Sequence, residues 1–243
     1  MQSTARPLVL VDAVVPAYWT RSRAGRIVTD LALMVGFAWF VALCAQIVVR
    51  VPWTTVPITG QTFAVLVAGG ALGAWRGGGS MLIYFLLGMV GVPVFAPGSA
   101  LASGTWGAHF VLPWQGTAGY PWDLSSGGYL VGFILAAAIT GYCAQLAWDR
   151  KPWITLGMLL AQLAIYIPGL LWLYYLIASG WVHPVGEPLA QLIPGSSDLE
   201  KTLNGGLYPF VVGDLMKLYL AGMVLPAGWA FVNWFRGSKR HDR

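Results

Sequence analysis

Apolar residues in this chain come in long runs, divided by short clusters of glycine, proline and charge. Six runs stand out: Ile27–Val49, Gln61–Trp75, Ser80–Ala96, Gly127–Trp148, Trp153–Ser179 and Leu207–Phe235. An apolar run of about 20 residues is long enough to cross a bilayer as a helix. The second and third runs are short by that measure. They are divided by "RGGG", Arg76 to Gly79, which reads as a tight turn joining a hairpin. The second run carries "AGGALGA", a composition that lets helices approach closely. The third ends in "GMVGVPVFAPG", whose Gly and Pro predict irregular backbone at its outer end. The pattern predicts an all-α, polytopic membrane protein: a bundle of six transmembrane helices with long structured outer loops.

Composition supports the class. The chain is 57% hydrophobic and only 9% charged, against about 25% charged residues in a soluble domain. So few charges cannot cover a water-exposed surface. One membrane domain over residues 27–235 is expected, with a cytoplasmic or surface-lying N-terminal segment 1–26 and a basic tail 236–243. The first twenty residues lack a signal-peptide core.

The formal charge of +5 orients the bundle. With the N-terminus inside, eleven basic residues lie on the cytoplasmic side: Arg6, Arg21, Arg23, Arg26, Arg76, Arg150, Lys151, Arg236, Lys239, Arg240 and Arg243. Only Arg50 and Lys201 lie outside. This asymmetry predicts both termini inside and an even number of spans. The basic excess is therefore read as topology and not as nucleic-acid binding. Cys44 and Cys143 lie in apolar runs and are expected as buried free thiols. His109, His183 and His241 are scattered, and nothing has metal-ligand spacing.

The inner connections are short, whereas the outer ones span about 11, 30 and 27 residues, and long loops in a compact chain are commonly functional. They carry Trp53, Trp106, Trp114, Trp122, Trp181 and Tyr120. Singly, such aromatics anchor a membrane interface. As a group, the loops are expected to cover an outward-facing cavity.

The last run carries two charges, Asp214 and Lys217, on one face at i and i+3. A charge at mid-bilayer costs about 2.5–3.5 kcal/mol on insertion scales. Counted from Leu207, the two sit roughly 10 and 15 Å inside the outer boundary. They form either a self-neutralising structural pair or a recognition site for a small solute with both donors and acceptors. Three further stretches point to the same level. "PITGQTF" brings Gln61, "SSGGYLVGF" brings Tyr129, and "YFLLGMVG" brings Tyr84. Each has a plainer reading, as backbone satisfaction for Gln61 and Tyr129 and as packing for Tyr84. Ser125 or Ser126 is expected to cap the fourth helix. In the first run, Ala38 and Ala42 stand in a small-xxx-small relation suited to close helix contact, within the bundle or with another subunit.

Four blocks in order resemble the BioY family, the biotin-specific substrate-binding (S) components of energy-coupling-factor (ECF) transporters. They are "VPITGQTFAVLVAGGALG", "LLGMVGVPVFAPG", "GGYLVGFILAA" and "PFVVGDLMKLYLA", spread over Val56 to Ala227. The chain departs from the family at "SSGGYL", where Ser125 and Ser126 replace a Pro-Thr pair. The resemblance implies a six-helix protein of the bacterial cytoplasmic membrane that captures biotin from outside. It implies a transmembrane coupling subunit and two cytoplasmic ATPase subunits as partners, with ATP hydrolysed there. This chain itself has no GxxxxGK[ST] loop. By the resemblance, Asp214, Lys217 and Tyr129 fall on family binding positions, and Ala38 and Ala42 on the coupling contact. Two rivals remain at this level: a stand-alone, ATP-independent or proton-coupled carrier, and an intramembrane aspartyl protease. The protease needs a second carboxylate beside Asp214, and no other span carries one away from its ends.

Overall fold

The computed structural model describes residues 9–97, 107–109, 114–184 and 186–241. Arg6, Trp106 and Arg243 from the sequence reading lie outside them. The chain is mostly helical: α1 (Leu10–Val14), α2 (Arg23–Ala45), α3 (Gln61–Leu72), α4 (Ala74–Met89), α5 (Gly127–Gln145), α6 (Ile154–Ala178), α7 (Leu189–Leu192), α8 (Asp198–Gly206) and α9 (Tyr208–His241). Four helical stretches are long and apolar enough to cross a membrane: Arg23–Ala45, Gly127–Gln145, Ile154–Ala178 and Val211–Arg236.

The helix α3 lies at the centre. Its neighbours are α2, α4, α5 and α9, and every residue from Ala64 to Leu72 is buried. A helix that is apolar all round needs such a position. The hairpin from α3 to α4 exists, but its turn is not at Arg76–Gly79. The chain reverses at Gly73, whose φ of 85° is left-handed and suits glycine. Arg76 to Gly79 then continue as helix. The loop-like look of "RGGG" has two physical causes. Gly77 is small because an added Cβ would lie 2.9 Å from the Gly69 Cα. Arg76 is charged because its guanidinium bridges Asp12 (2.8 Å) and Asp30 (3.3 Å), while its Nε donates to the Leu72 carbonyl at 2.8 Å. That cluster joins α1, α2 and α4.

The all-α expectation needs a second correction. A small antiparallel sheet, in the order β2-β1-β3, sits beyond the C-terminal end of α2. Its strands are β1 (Val48–Arg50), β2 (Ile58–Thr59) and β3 (Gly107–His109). Val48 pairs with both Thr59 and His109. The first apolar run extends to Val49, but its helix stops at Ala45 and β-branched Val48 and Val49 go extended. The N-terminal segment is also more than a surface tail. Val9 is in the main core, and Ala13 packs with Trp229 and Val232 of α9.

Ala38 and Ala42 are fully buried. With Met34, Val41 and Ala45 they form the stripe that α2 turns toward the bundle. Their smallness serves packing inside this chain, so they are not a docking surface. The opposite side of α2 exposes Ala32, Val35, Gly36, Trp39 and Leu43.

Candidate functional site

Asp214 is the centre of a buried polar cluster between α3, α6 and α9. Its carboxylate accepts four hydrogen bonds, and the residue is 5% exposed. Oδ1 takes the Thr62 hydroxyl at 3.0 Å and the Lys217 ammonium at 2.9 Å. Oδ2 takes the Gln162 amide at 2.6 Å and the Tyr166 hydroxyl at 2.7 Å. An ionised carboxylate has about four lone-pair sites, so all are in use. This explains how a span holds an acid: the charge is paired and each oxygen is hydrogen-bonded. Thr62, Gln162 and Tyr166 did not emerge from the sequence reading.

Gln61 and Tyr84 form a second chain of bonds. The Thr59 hydroxyl donates to Gln61 Oε1 at 2.8 Å, and Gln61 Nε2 donates to the Tyr84 hydroxyl at 2.6 Å. Tyr84 in turn donates to the Val94 carbonyl at 3.0 Å. Tyr84 is 1% exposed, and its ring packs edge-on against Phe95. It stands behind Gln61 and does not line the cavity described next. The Tyr129 hydroxyl donates to the Gly206 carbonyl at 2.8 Å. Its ring meets Tyr166 edge-on and tilts against Phe210, which builds an aromatic wall. Ser125 donates to the Thr55 carbonyl at 3.2 Å, and Ser126 at the start of α5 makes no side-chain cap bond. The expected serine cap is thus absent from α5.

These walls enclose a cavity of about 580 Å³, within the range of small-molecule sites. Gln61, Thr62, Tyr129, Tyr166, Asp214 and Lys217 all line it. So do aliphatic and aromatic groups, including Leu130, Phe133, Ile165 and Phe210. Two residues of the loop after α6, Trp181 and His183, line part of its edge. Their loop is held by the His183 N–H donating to the Glu187 carbonyl at 2.9 Å and by a bridge between Val182 and Pro188. Burial pushes the His183 imidazole below its usual pKa, which favours the neutral ring at neutral pH. Trp53, Trp114, Tyr120 and Trp122 remain surface-exposed and do not line the cavity. Among the described residues, no cluster of His, Cys, Asp or Glu is placed to hold a metal.

Residues 19–234, most of the chain, match the sequence model of the BioY family. The chain belongs to the BioY family. Among its relatives, a BioY protein of Rhodobacter capsulatus described as a biotin transporter is 29% identical over 70% of this chain and 76% of its own. A probable biotin transporter BioY of Pyrococcus horikoshii is also 29% identical, over 80% of this chain and 93% of its own. The fold is like that of a solved S-component for biotin from an ECF-type ABC transporter. The TM-score is 0.60 at 18% identity, covering 85% of this chain and 93% of that one. As a BioY protein, the chain presents the acid and the amine of "GDLMK" to one cavity and places them in mutual contact.

Proposed function

We propose that this chain is the biotin-capturing S component of an ECF-type transporter in a bacterial cytoplasmic membrane. The observation that carries this reading is the Asp214–Lys217 pair, set in the wall of a largely apolar cavity in a BioY-family chain. Biotin brings two ureido N–H donors, a ureido carbonyl, a thioether ring and a carboxylate. The Lys217 ammonium has three donors, one of them spent on Asp214. It can serve a ligand oxygen without leaving the pair. Tyr129, Phe133 and Phe210 supply apolar walls for the ring and chain.

Residues 27–235 form the membrane unit, in six crossings with both termini inside. The helices α3 and α4 are about 18 and 24 Å long at 1.5 Å per residue, short of the ~30 Å hydrocarbon core. As a hairpin turned at Gly73, and surrounded by longer helices, they need not span it alone. Capture is then coupled to a transmembrane partner and two ATPase subunits, which set the low-affinity inward state. A proteolytic reading finds no support in the site. Asp214 is ringed by Lys217, Gln162, Tyr166 and Thr62, with no second carboxylate hydrogen-bonded to it among the described residues.

Calorimetric titration of the purified chain with biotin tests the proposal, with thiamine and riboflavin as controls. Biotin is expected to release heat and raise the melting temperature, and the controls to do neither. At a thousandfold excess over Kd, biotin adds about 4 kcal/mol of stability. Heat from thiamine or riboflavin instead, or none from biotin, overturns the assignment.

The partner contact is expected on the outward side of α2, around Ala32 and Gly36. An added Cβ at Gly36 would meet nothing of this chain within 4 Å. Gly36→Leu should therefore leave biotin affinity and melting temperature unchanged while lowering ATP-driven uptake in proteoliposomes of the whole complex. Unchanged uptake would remove this face from consideration.

A further inference from the structure

The two oxygens of Asp214 are not equivalent. On Oδ1, both partners, Thr62 and Lys217, line the cavity. On Oδ2, Gln162 is 5% exposed and does not line the cavity, while Tyr166, one helical turn further along α6, holds the same oxygen and does reach the cavity wall. Oδ2 is thus clamped by two donors from one helix, one of them behind the cavity wall, whereas both donors on Oδ1 face the ligand chamber.

We propose that Gln162 and Tyr166 are positioning residues that orient the Asp214 carboxylate, so that only Oδ1 exchanges partners when ligand enters. This rests on the biotin reading above. A ligand N–H displaces the Thr62 hydroxyl from Oδ1, while Lys217 stays on the pair and turns a free N–H to the ligand's own oxygen. Oδ2 keeps both of its bonds throughout. The two bonds on Oδ2 therefore fix the angle at which the carboxylate meets the ligand.

Gln162 has a feature that makes this testable. Its Nε2 donates to Asp214, but its buried Oε1 has no hydrogen-bond partner. A Gln162→Glu change puts a carboxyl in the same volume. It would meet Asp214 of α9 directly; around that carboxylate stand Lys217 of α9, Tyr166 of α6 and the neutral Thr62 of α3, with Tyr129 of α5 edge-on to Tyr166. Protonated, the new group donates to Oδ2 as the amide did. Deprotonated, it sets one carboxylate against another with no donor waiting at its second oxygen. Ligand binding by this variant should be retained at acidic pH and lost as pH rises.

The experiment is biotin titration of the full chain in detergent at about pH 5, 6.5 and 8. Wild type is expected to bind with little change across this range. Gln162→Leu and Tyr166→Phe should each weaken binding at least about tenfold at every pH, the loss of one hydrogen bond to a charged group. Gln162→Glu should approach wild type near pH 5 and fall at least about tenfold by pH 8. A purely structural role for Gln162 predicts no such pH slope, and affinity within about twofold of wild type for whatever fraction folds. A Gln162→Glu profile parallel to wild type overturns the proposal. If that variant cannot be purified, wild-type-like affinity in Tyr166→Phe overturns it alone. Wild type failing to bind biotin defeats the functional assignment itself, a result distinct from both.

Discussion

Asp214→Asn and Lys217→Met are each expected to weaken biotin binding by about 2 kcal/mol or more, roughly 30-fold, because each removes a charged, hydrogen-bonded group from the cavity wall. The two should differ sharply in what they do to the empty protein. Lys217→Met leaves the Asp214 carboxylate with three donors, Thr62, Gln162 and Tyr166. Asp214→Asn leaves the Lys217 ammonium beside a neutral amide, and its only ion pair among the described residues is gone. Removing one member of a buried pair costs about 3–5 kcal/mol. The Lys217 side chain is 18% exposed, which places the expected loss at the lower end. Melting curves without ligand, beside titrations with biotin, separate the two effects. If both variants melt early but bind biotin normally, the pair is structural, and recognition must lie elsewhere in the cavity.

The anomaly of two charges in one span was the most informative feature of the sequence, and the structure explains why its partners were hard to see. Asp214 and Lys217 lie three residues apart on one helix, so helical spacing alone joins them. Gln162 and Tyr166 lie on α6, about fifty residues earlier, and only the packing of α6 on α9 brings them to Asp214. A signal was nevertheless present. "AQLAIY" sets an amide and a phenol four residues apart, on one face of an otherwise apolar span. An intramembrane acid that needs four donors should direct attention to such pairs.

The fold divides in the same way. Long apolar runs located the helices, because length and hydropathy are properties of the run itself. Local rules failed where tertiary contact overrides them. "RGGG" has turn composition, yet its arginine is satisfied by Asp12 and Asp30, and Gly77 is required by contact with α3. The real turn residue, Gly73, stood inside an apolar run with nothing nearby to distinguish it. Ala38 and Ala42 show the same ambiguity. Small-xxx-small spacing states that something packs closely, but not whether the neighbour belongs to the same chain.

Gly141→Val is expected to be the most damaging single substitution in the helical core away from the cavity. Gly141, on α5, crosses the α3–α4 turn at closest approach. A Cβ there would lie 2.6 Å from the Gly73 carbonyl oxygen, and closer still to the Gly73 carbonyl carbon and the Ala74 nitrogen. All three are backbone atoms, so no side chain can rotate away. Gly73 itself is fixed at φ 85° as the hinge between α3 and α4. Relief must come from separating whole helices. Overpacking a well-filled core costs about 1–3 kcal/mol when side chains can shift, and a clash with backbone on a hinge should exceed that. The consequence reaches the cavity, because α5 carries Tyr129 and α3 carries Gln61 and Thr62. Gly141→Ala should lower the melting temperature and weaken biotin binding together, and Gly141→Val should prevent recovery of a monodisperse protein on size exclusion. Gly36→Leu, with a larger side chain at an open position, provides the control and should elute, melt and bind biotin as wild type does. A Gly141→Val protein that elutes and melts like wild type would show that α5 does not pack on the Gly73 turn.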